Sequence, residues 1–174
     1  DAFHLIPRAT ALCTTGLESF TVQLGLGKWI TSITMTICYV VLYHVWRERY
    51  QIKGRKTTTA VIYGLAVLRI VLCMMPQNKW LTADAPLSWV IYRNIPFALM
   101  GLIIIVLFYK SAKENHDTSF RWMWLTIVLS FAFYIPVVLW ADVIPMIGML
   151  MLPKTCAYVW TVLIGYKAMK KEAA

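Results

Sequence analysis

Long apolar runs separated by short polar segments make up most of the sequence. Five of these runs approach the roughly 20 residues that an α-helix needs to cross a hydrocarbon core of about 30 Å. Many of them begin or end on a Trp or Tyr, whose rings settle at a bilayer interface. The pattern predicts an all-α, polytopic transmembrane helical bundle that forms a single domain over residues 1–174. The predicted spans are approximately 29–46, 59–75, 88–109, 122–140 and 143–166.

Basic residues are distributed unevenly between the polar segments. Segment 47–58 holds five Lys or Arg residues, segment 110–121 holds three, and the tail 167–171 holds three. By contrast, segment 76–87 holds only Lys79. The positive-inside rule therefore places the two basic loops and the C-terminus in the cytoplasm. The expected location is the cell membrane, as for a multi-pass protein of a bacterial inner membrane.

The composition agrees with a membrane protein. Hydrophobic residues make up 60% of the chain and charged residues 14%, and the mean hydropathy is +0.64. A soluble domain carries about a quarter charged residues. Because most of the net charge of +9 belongs to the topology signal, we expect no nucleic-acid partner. Membrane lipids are the expected partners, and helical partners or a homo-oligomer remain open.

The beginning of the sequence leaves two questions open. The stretch DAFHLIPR is typical of the end of a segment, so we expect further residues upstream. The five spans would then form the C-terminal part of a seven-helix protein. Residues 9–27 carry Glu18 and several threonines, which makes them a weak spanning segment. A helix along the interface, or one leaning into the bundle, is the alternative.

Three cations, Lys154, Arg69 and Arg93, lie within the apolar runs. In the predicted topology all three point at the outer half of the membrane, and no span carries an Asp or Glu at its middle. An unpaired cation in lipid costs about 3 kcal/mol on insertion scales. We therefore predict a hydrated pocket that opens outward, with Lys154 as its floor and both arginines in its walls. The alternative is snorkelling, in which the long side chains reach the headgroups.

Other polar residues are predicted to contribute to this pocket. Tyr134 belongs to the fourth span, and Asp84 lies at the outer rim together with other acids. An excess of positive charge at depth suits a small anionic or amphipathic ligand that carries a phosphate or a carboxylate. Four residues at i, i+4, i+7 and i+11 give the first span a polar face, although each could equally form an interhelical hydrogen bond. They are Ser32, Thr36, Tyr39 and Tyr43.

The histidines and cysteines do not form a metal-binding pattern. No two histidines share a ligand spacing, and the four cysteines lack a CxxC or Cys/His arrangement, so we expect no metal and no cofactor. Cys38 and Cys156 lie inside apolar runs and are expected to be small buried hydrophobes. The histidines are His4, His44 and His116.

Small residues and prolines within the spans predict details of helix packing. Ala60 and Gly64 form a small-xxx-small pair, which favours the close approach of two helices in a membrane. Pro96, Pro136 and Pro153 each remove a backbone donor, so a kink is expected at each of them.

Two short stretches match the pattern of a known family. DAFHLIPR is close to GD-x-x-L-x-P-R, with three residues instead of two between Asp1 and Leu5, and GLGKW in the following segment roughly matches GL-x-x-F, with Trp29 in place of the phenylalanine. In these stretches the chain resembles YhhN-type lysoplasmalogenases. The family's second aspartate corresponds to Asp142 in WADV, although Ala141 replaces its serine and Ile33 stands where it has a histidine. The matching residues are Asp1, Leu5, Pro7 and Arg8, followed by Gly25, Leu26 and Trp29.

The resemblance implies a multi-pass enzyme that cleaves the vinyl-ether bond of lysoplasmalogens with membrane-embedded aspartates. Asp1 and Asp142 would then activate water beside the enol-ether carbon, and the cations would hold the lysolipid phosphate. His4 lies three residues after Asp1 and is a candidate for acid/base work beside it, or for a helix-end hydrogen bond.

Three functions are therefore open. The primary hypothesis is a carrier or receptor whose cationic intramembrane pocket binds a small anion or lipid-like molecule. The second is an intramembrane lipid hydrolase with Asp1, Asp142 and His4 as catalytic residues. The third is a structural subunit of a larger membrane complex, in which the buried charges pair with helices of other chains.

Overall fold

The structure, a computed structural model, describes residues 21–82, 86–140 and 144–172. Within these ranges the chain forms five α-helices and two short 3₁₀ helices, and no strand. The α-helices are α1 (Thr21–Arg49), α2 (Lys56–Met74), α3 (Leu87–Glu114), α4 (Met123–Trp140) and α5 (Met151–Glu172). The 3₁₀ helices are Pro76–Asn78 and Pro145–Leu150.

Each α-helix corresponds to one predicted span, so the prediction of an all-α chain is confirmed. Five helices are long and apolar enough to cross a membrane, and the fifth of these spans runs over Met146–Lys171. The described part of α1 begins at Thr21. Residues 21–27, whose structure the sequence left open, therefore belong to the first spanning helix.

The exposed faces of these helices are apolar. Val67, Leu102 and Val162 are 59%, 58% and 69% exposed, and many other large hydrophobic side chains are exposed as well. Apolar surface of this extent would drive association in water, whereas lipid tails cover it at no cost. The chain is therefore a multi-pass membrane protein.

Turn-forming residues separate α2 from α3. α2 ends at Met74, and the chain continues into the 3₁₀ helix that begins at Pro76. Lys79 then adopts a left-handed conformation with φ 46°, which reverses the chain direction. Pro86 directly precedes the first residue of α3, where its fixed φ favours the start of a helix.

The chain divides into two compact units, and the division falls inside α1 and α3. Within the described ranges, the first unit holds α1 up to Val41 together with Gly54–Met100. Tyr39 of α1 packs edge-on against Phe97 of α3, with ring centroids 4.8 Å apart. The buried residues of α2 recur at i, i+4, i+7 and i+11 and so form one stripe. They are Ile62, Ala66, Arg69 and Cys73.

The second unit holds Leu42–Lys53 and the described residues from Gly101 onward. In this unit α4 and α5 pack against each other, and the hydroxyl of Thr161 donates a hydrogen bond to that of Thr126 over 2.9 Å. α3 approaches α4 closely at Gly101, where an added Cβ would overlap the ring of Phe131.

Four small residues do not pack as predicted. Ala60 and Gly64 are exposed, and an added Cβ at Gly64 would meet no atom within 4 Å. The small-xxx-small pair therefore brings no helix of the described chain close to α2. Cys38 and Cys156 are exposed rather than buried. The prediction failed because a membrane helix is apolar on all sides, so an apolar neighbourhood in sequence does not indicate which face is enclosed.

The three prolines occupy different positions in their helices. Pro96 and Pro136 lie inside α3 and α4, which continue through them. Pro153 is the third residue of α5. It belongs to the first helical turn, where the backbone N–H has no partner within the helix, so proline costs nothing there.

Candidate functional site

The structure describes some of the predicted site residues and not others. Arg69, Arg93, Lys154 and Tyr134 lie in described helices. Asp84, predicted at the rim of the pocket, lies outside the described residues, as do all three predicted catalytic residues. The catalytic candidates are Asp1, His4 and Asp142.

Arg93 belongs to a network that closes the end of α2. Its Nη1 donates a hydrogen bond to Oδ1 of Asn78 over 2.9 Å. The amide nitrogen of Asn78 donates to the carbonyl oxygens of Leu72 at 2.6 Å and Met75 at 2.9 Å. Carbonyl groups in the last turn of a helix have no partner in the helix itself. Asn78, which is fully buried, thus caps α2, and Arg93 holds its amide in place.

Trp80 completes this network, which we call the cap cluster (Asn78, Trp80 and Arg93). Its indole N–H donates to the carbonyl oxygen of Cys73 over 2.8 Å. The guanidinium carbon of Arg93 lies 4.0 Å from the centroid of the Trp80 ring, within the range of a cation–π interaction. At Gly25 of α1 an added Cβ would overlap the backbone carbonyl of Trp80. Only glycine lets α1 approach the cluster this closely.

Arg69 is buried, as Arg93 is, but it has fewer hydrogen-bond partners among the described residues. It is 1% exposed, and its guanidinium carbon lies 3.6 Å from the centroid of the Phe97 ring. Its Nε and Nη1 are buried and find no hydrogen-bond acceptor in the described part of the chain. A guanidinium carries five N–H donors and no acceptor. Arg69 therefore presents donors at depth that the described residues leave unsatisfied.

The surroundings of Arg69 are aromatic and sulfur-containing. Phe97 stacks on the guanidinium on one side and contacts Tyr39 by its edge. The thiol of Cys73, one helical turn along α2, lies within hydrogen-bonding range of Arg69 and within electrostatic range of Arg93. None of these groups carries a negative charge in its ordinary protonation state. The described neighbourhood thus stabilises the cation by polarisation and lacks a counter-ion.

Lys154 lies on the buried face of α5. It is 1% exposed, and its Nζ lies 4.8 Å from the ring centroid of Tyr134 in α4 and 5.3 Å from that of Tyr158 in α5. Two aromatic faces near an ammonium group contribute about 0.5–2 kcal/mol each. The structure therefore brings Lys154 and Tyr134 together, and Tyr158 joins them.

Burial decides against snorkelling for all three cations. Arg69, Arg93 and Lys154 are 1%, 7% and 1% exposed, so protein encloses each of them. Arg69 and Arg93 belong to the first unit, and Lys154 and Tyr134 belong to the second. That the three cations share one pocket stays a prediction.

The polar face predicted for α1 is buried. Thr36, Tyr39 and Tyr43 are at most 1% exposed. The hydroxyl of Thr36 donates to the carbonyl oxygen of Ser32, and that of Ser32 donates to Lys28, each over 2.8 Å. These two hydroxyls are satisfied within their own helix, so both are available for packing without a ligand.

Sequence reasoning missed the partners of the two arginines. Asn78 and Trp80 lie in the connection after α2, and Phe97 lies among many apolar residues of α3. A signal was present for Asn78, because an asparagine just beyond the end of a helix is a candidate for capping its carbonyl groups. Nothing in the sequence singles out Phe97, since any aromatic residue of α3 could have served.

Comparison with known proteins adds no family. No family model, curated protein or solved structure matches the chain. The likeness to lysoplasmalogenases stays a hypothesis that depends on the residues quoted above. Of these, Gly25 lies in α1 against the cap cluster, which gives it a packing role. In the described ranges no group of three His, Cys, Asp or Glu side chains could hold a metal ion.

Proposed function

We propose that this chain is a carrier or receptor of the cell membrane that binds a small anionic or amphipathic molecule through Arg69. The observation that supports it is the guanidinium of Arg69, 1% exposed, whose buried Nε and Nη1 have no acceptor among the described residues. The positive-inside rule places its end of α2 toward the outer face, from which the ligand would enter.

The energetic balance at Arg69 favours a ligand. A buried donor without an acceptor costs about 1–3 kcal/mol, and two of the donors of Arg69 are in this state. The stacked ring of Phe97 returns about 0.5–2 kcal/mol. A deficit of a few kcal/mol therefore remains, and a phosphate or carboxylate group removes it by accepting charge-assisted hydrogen bonds.

An acid of the chain itself is the competing occupant. Glu18 and Asp84 are predicted at the same side of the membrane, and both lie outside the described residues. A subunit of a complex would offer an acid from another chain instead. The hydrolase hypothesis keeps the same cation as the ligand of a lysolipid phosphate and adds Asp1 and Asp142 as catalytic groups.

Binding of two anionic amphiphiles to the full chain tests the proposal. The detergent-purified protein is titrated with oleate and with lysophosphatidylglycerol, and bound ligand is counted by native mass spectrometry. Losing a charge-assisted contact of this kind weakens binding about tenfold or more, so Arg69→Met is expected to lose at least one of the two ligands. Arg55→Met removes the same charge at an exposed position of the same unit and is expected to bind as the wild type does.

Two results would contradict the proposal. Equal binding by Arg69→Met and the wild type would mean that the ligand does not touch this guanidinium. Glu18→Gln or Asp84→Asn could also lower the stability of the wild type strongly and have no such effect in the Arg69→Met background. That result would identify the substituted acid as the internal partner of Arg69. Hydrolysis of a lysoplasmalogen that disappears in Asp142→Asn would instead support the enzyme.

A further inference from the structure

A polar cavity lies in the second unit, where three helices end. Its volume is about 500 Å³, and it is formed by the C-terminal ends of α1, α3 and α5 and by the loop after α3. That volume accommodates a small headgroup, since ligand sites in proteins typically measure about 300–1,000 Å³. The side chains that line it and matter here are Arg49, Tyr50, His116, Thr118, Ser119 and Lys171.

One wall of the cavity is held by an ion pair. Arg49 donates from Nε to Oδ2 of Asp117 over 2.9 Å and from Nη2 to Oδ1 over 3.3 Å. Oδ1 also accepts the backbone N–H groups of Ser119 and Phe120, and Arg49 lies over the Phe120 ring. These bonds fix the loop. Because Arg49 pairs with Asp117, the two opposite charges offset each other, and the pair adds no net charge to the cavity.

The directions in which the pKa values of Asp117 and Tyr50 are shifted agree with this ion pair. Partial burial acts to raise the pKa of Asp117, but the hydrogen bonds from Arg49, Phe120 and Ser119 outweigh it and hold the pKa below its ordinary value of 3.8. Burial, and then the negative charge of Asp117, raise the pKa of Tyr50 above its ordinary value. The acid is thus ionised and paired, and the phenol stays neutral, at physiological pH.

Four other side chains of the cavity have no hydrogen-bond or ion-pair partner in the described part of the chain. His116, Thr118, Ser119 and Lys171 line it, and no hydrogen bond or ion pair joins their side chains to any residue that the structure describes. His116 adopts a left-handed conformation with φ 47°, which is uncommon for a residue other than glycine. Two hydroxyls, an imidazole and an ammonium group therefore share one polar space without side-chain partners among the residues that the structure describes.

The depth of the cavity is that of lipid headgroups. Exposed aromatic side chains, such as Tyr109 at 47% and Tyr166 at 58%, mark the interface on this unit. Asn115 lies six residues beyond Tyr109, just past the end of α3, and on α5 Ala168 and Lys171 lie two and five residues beyond Tyr166. At 1.5 Å per residue these lining residues lie roughly 3–9 Å past the aromatic level. Phosphate groups occupy this layer of a bilayer.

From these observations we propose that the cavity binds a phosphate-bearing headgroup. Lys171 contributes its charge, Thr118 and Ser119 donate hydroxyl hydrogen bonds, and His116 donates from its ring. A phosphate offers more terminal oxygens than a carboxylate, and so matches a larger number of converging donors. Basic pockets between membrane helices bind anionic headgroups in this way. The site is independent of Arg69, and its chemistry fits a membrane lipid or a soluble phosphate ester.

The test uses the full chain in nanodiscs of phosphatidylcholine with increasing fractions of phosphatidylglycerol. Retained lipid is counted by native mass spectrometry after the protein is released from the disc. We expect saturable retention of one phosphatidylglycerol, weakened about fivefold in Lys171→Gln and in Thr118→Val. Lys170→Gln is the matched control, because Lys170 is also exposed on the same helical turn but does not line the cavity.

Soluble probes distinguish the source of the phosphate. In neutral discs, calorimetric titration with glycerol phosphate and with inorganic phosphate is repeated on the same variants. Binding of either probe that depends on Lys171 and Thr118 supports the site with a soluble ligand, and binding only from the membrane supports it with a lipid. Equal weakening by Lys170→Gln and Lys171→Gln, no effect of Thr118→Val, or no binding of any probe would overturn the proposal.

Discussion

Arg69 and Arg93 offer a comparison within one unit of the molecule. Both are buried, and each guanidinium carbon lies within 4.0 Å of an aromatic ring centroid. They differ in hydrogen bonding. Arg93 donates to the buried amide of Asn78, whereas two donors of Arg69 meet no acceptor in the described ranges.

The difference shows that burial and an aromatic neighbour do not define the role of a cation. Arg93 is part of the cap cluster, so its charge is used to hold a helix end together. The charge of Arg69 is stabilised by a ring and left open to an additional acceptor. A buried cation is therefore a ligand-site candidate where its donors exceed the acceptors around it.

The largest expected effect is on the stability of the cap cluster. Arg93→Met leaves the carbonyl oxygen of the buried Asn78 side chain without its donor and removes the stack on Trp80. We expect a loss of about 2–4 kcal/mol in the free energy of unfolding. The measurement is unfolding of the purified chain by sodium dodecyl sulfate in mixed micelles, followed by circular dichroism.

Arg69→Met is the matched substitution for this comparison. It removes a buried charge whose Nε and Nη1 have no acceptor among the described residues, so the free energy of unfolding is expected to stay the same or to rise by up to a few kcal/mol. A loss as large as that of Arg93→Met would show that Arg69 has an acceptor within the chain, and the contrast between the two arginines would disappear.

A somewhat smaller effect is expected where α1 meets the cap cluster. In Gly25→Ala the new methyl group overlaps the backbone carbonyl of Trp80, and a backbone atom cannot move aside as a side-chain end can. We expect a loss of about 1–3 kcal/mol in the same unfolding assay. Gly64→Ala serves as control because its methyl group meets no atom within 4 Å, and it should leave stability unchanged or raise it slightly.

The smallest loss of stability is expected for the partly exposed ion pair between Arg49 and Asp117. Asp117→Asn removes its ion pair, whose side chains are 22% and 8% exposed, and is expected to cost about 1–2 kcal/mol at neutral pH. Because the pKa of Asp117 is lowered in the folded state, this contribution is present above its ordinary value of 3.8 and is lost as the pH falls below it.

The free energy of unfolding, measured over a range of pH, tests the direction of this pH dependence. The stability difference between the wild type and Asp117→Asn should shrink to zero on acidification. Glu114→Gln, an exposed acid of the same loop region, should show no difference at any pH. A gap between wild type and Asp117→Asn that persists in acid would contradict the assignment of the stability to this ion pair.

The helices could be predicted from the sequence because the bilayer imposes their length. Runs of apolar residues with aromatic ends located all five, but the N-terminal extent of α1, the C-terminal end of α3 at Glu114 and both ends of α5 were missed. Which face of each helix is buried could not be predicted from apolar residues. Polar residues indicate it better: Lys154 and Thr161 lie on the buried side of α5, because a charge or hydroxyl avoids lipid.

The candidate site was only partly predictable for the same reason. The sequence singled out three cations within the apolar runs, and protein encloses all three, while the hydrated pocket that they were predicted to line stays a prediction. It could not supply their partners, since Asn78, Trp80 and Phe97 meet the arginines through tertiary contacts between separate segments. The polar cavity was also missed, because the basic residues around His116 and Lys171 were explained by topology alone.

The stacking of Arg69 on Phe97 has a consequence for biogenesis. α2 leaves the ribosome before α3 is made, so its arginine reaches the insertion machinery while the ring that shields it does not yet exist. The eight Val, Ile and Leu residues of α2 supply on the order of 2–5 kcal/mol on insertion scales, about what one arginine costs. The free energy of inserting α2 alone is thus close to zero. Synthesis of α3, which carries Phe97, then stabilises α2 in the bilayer.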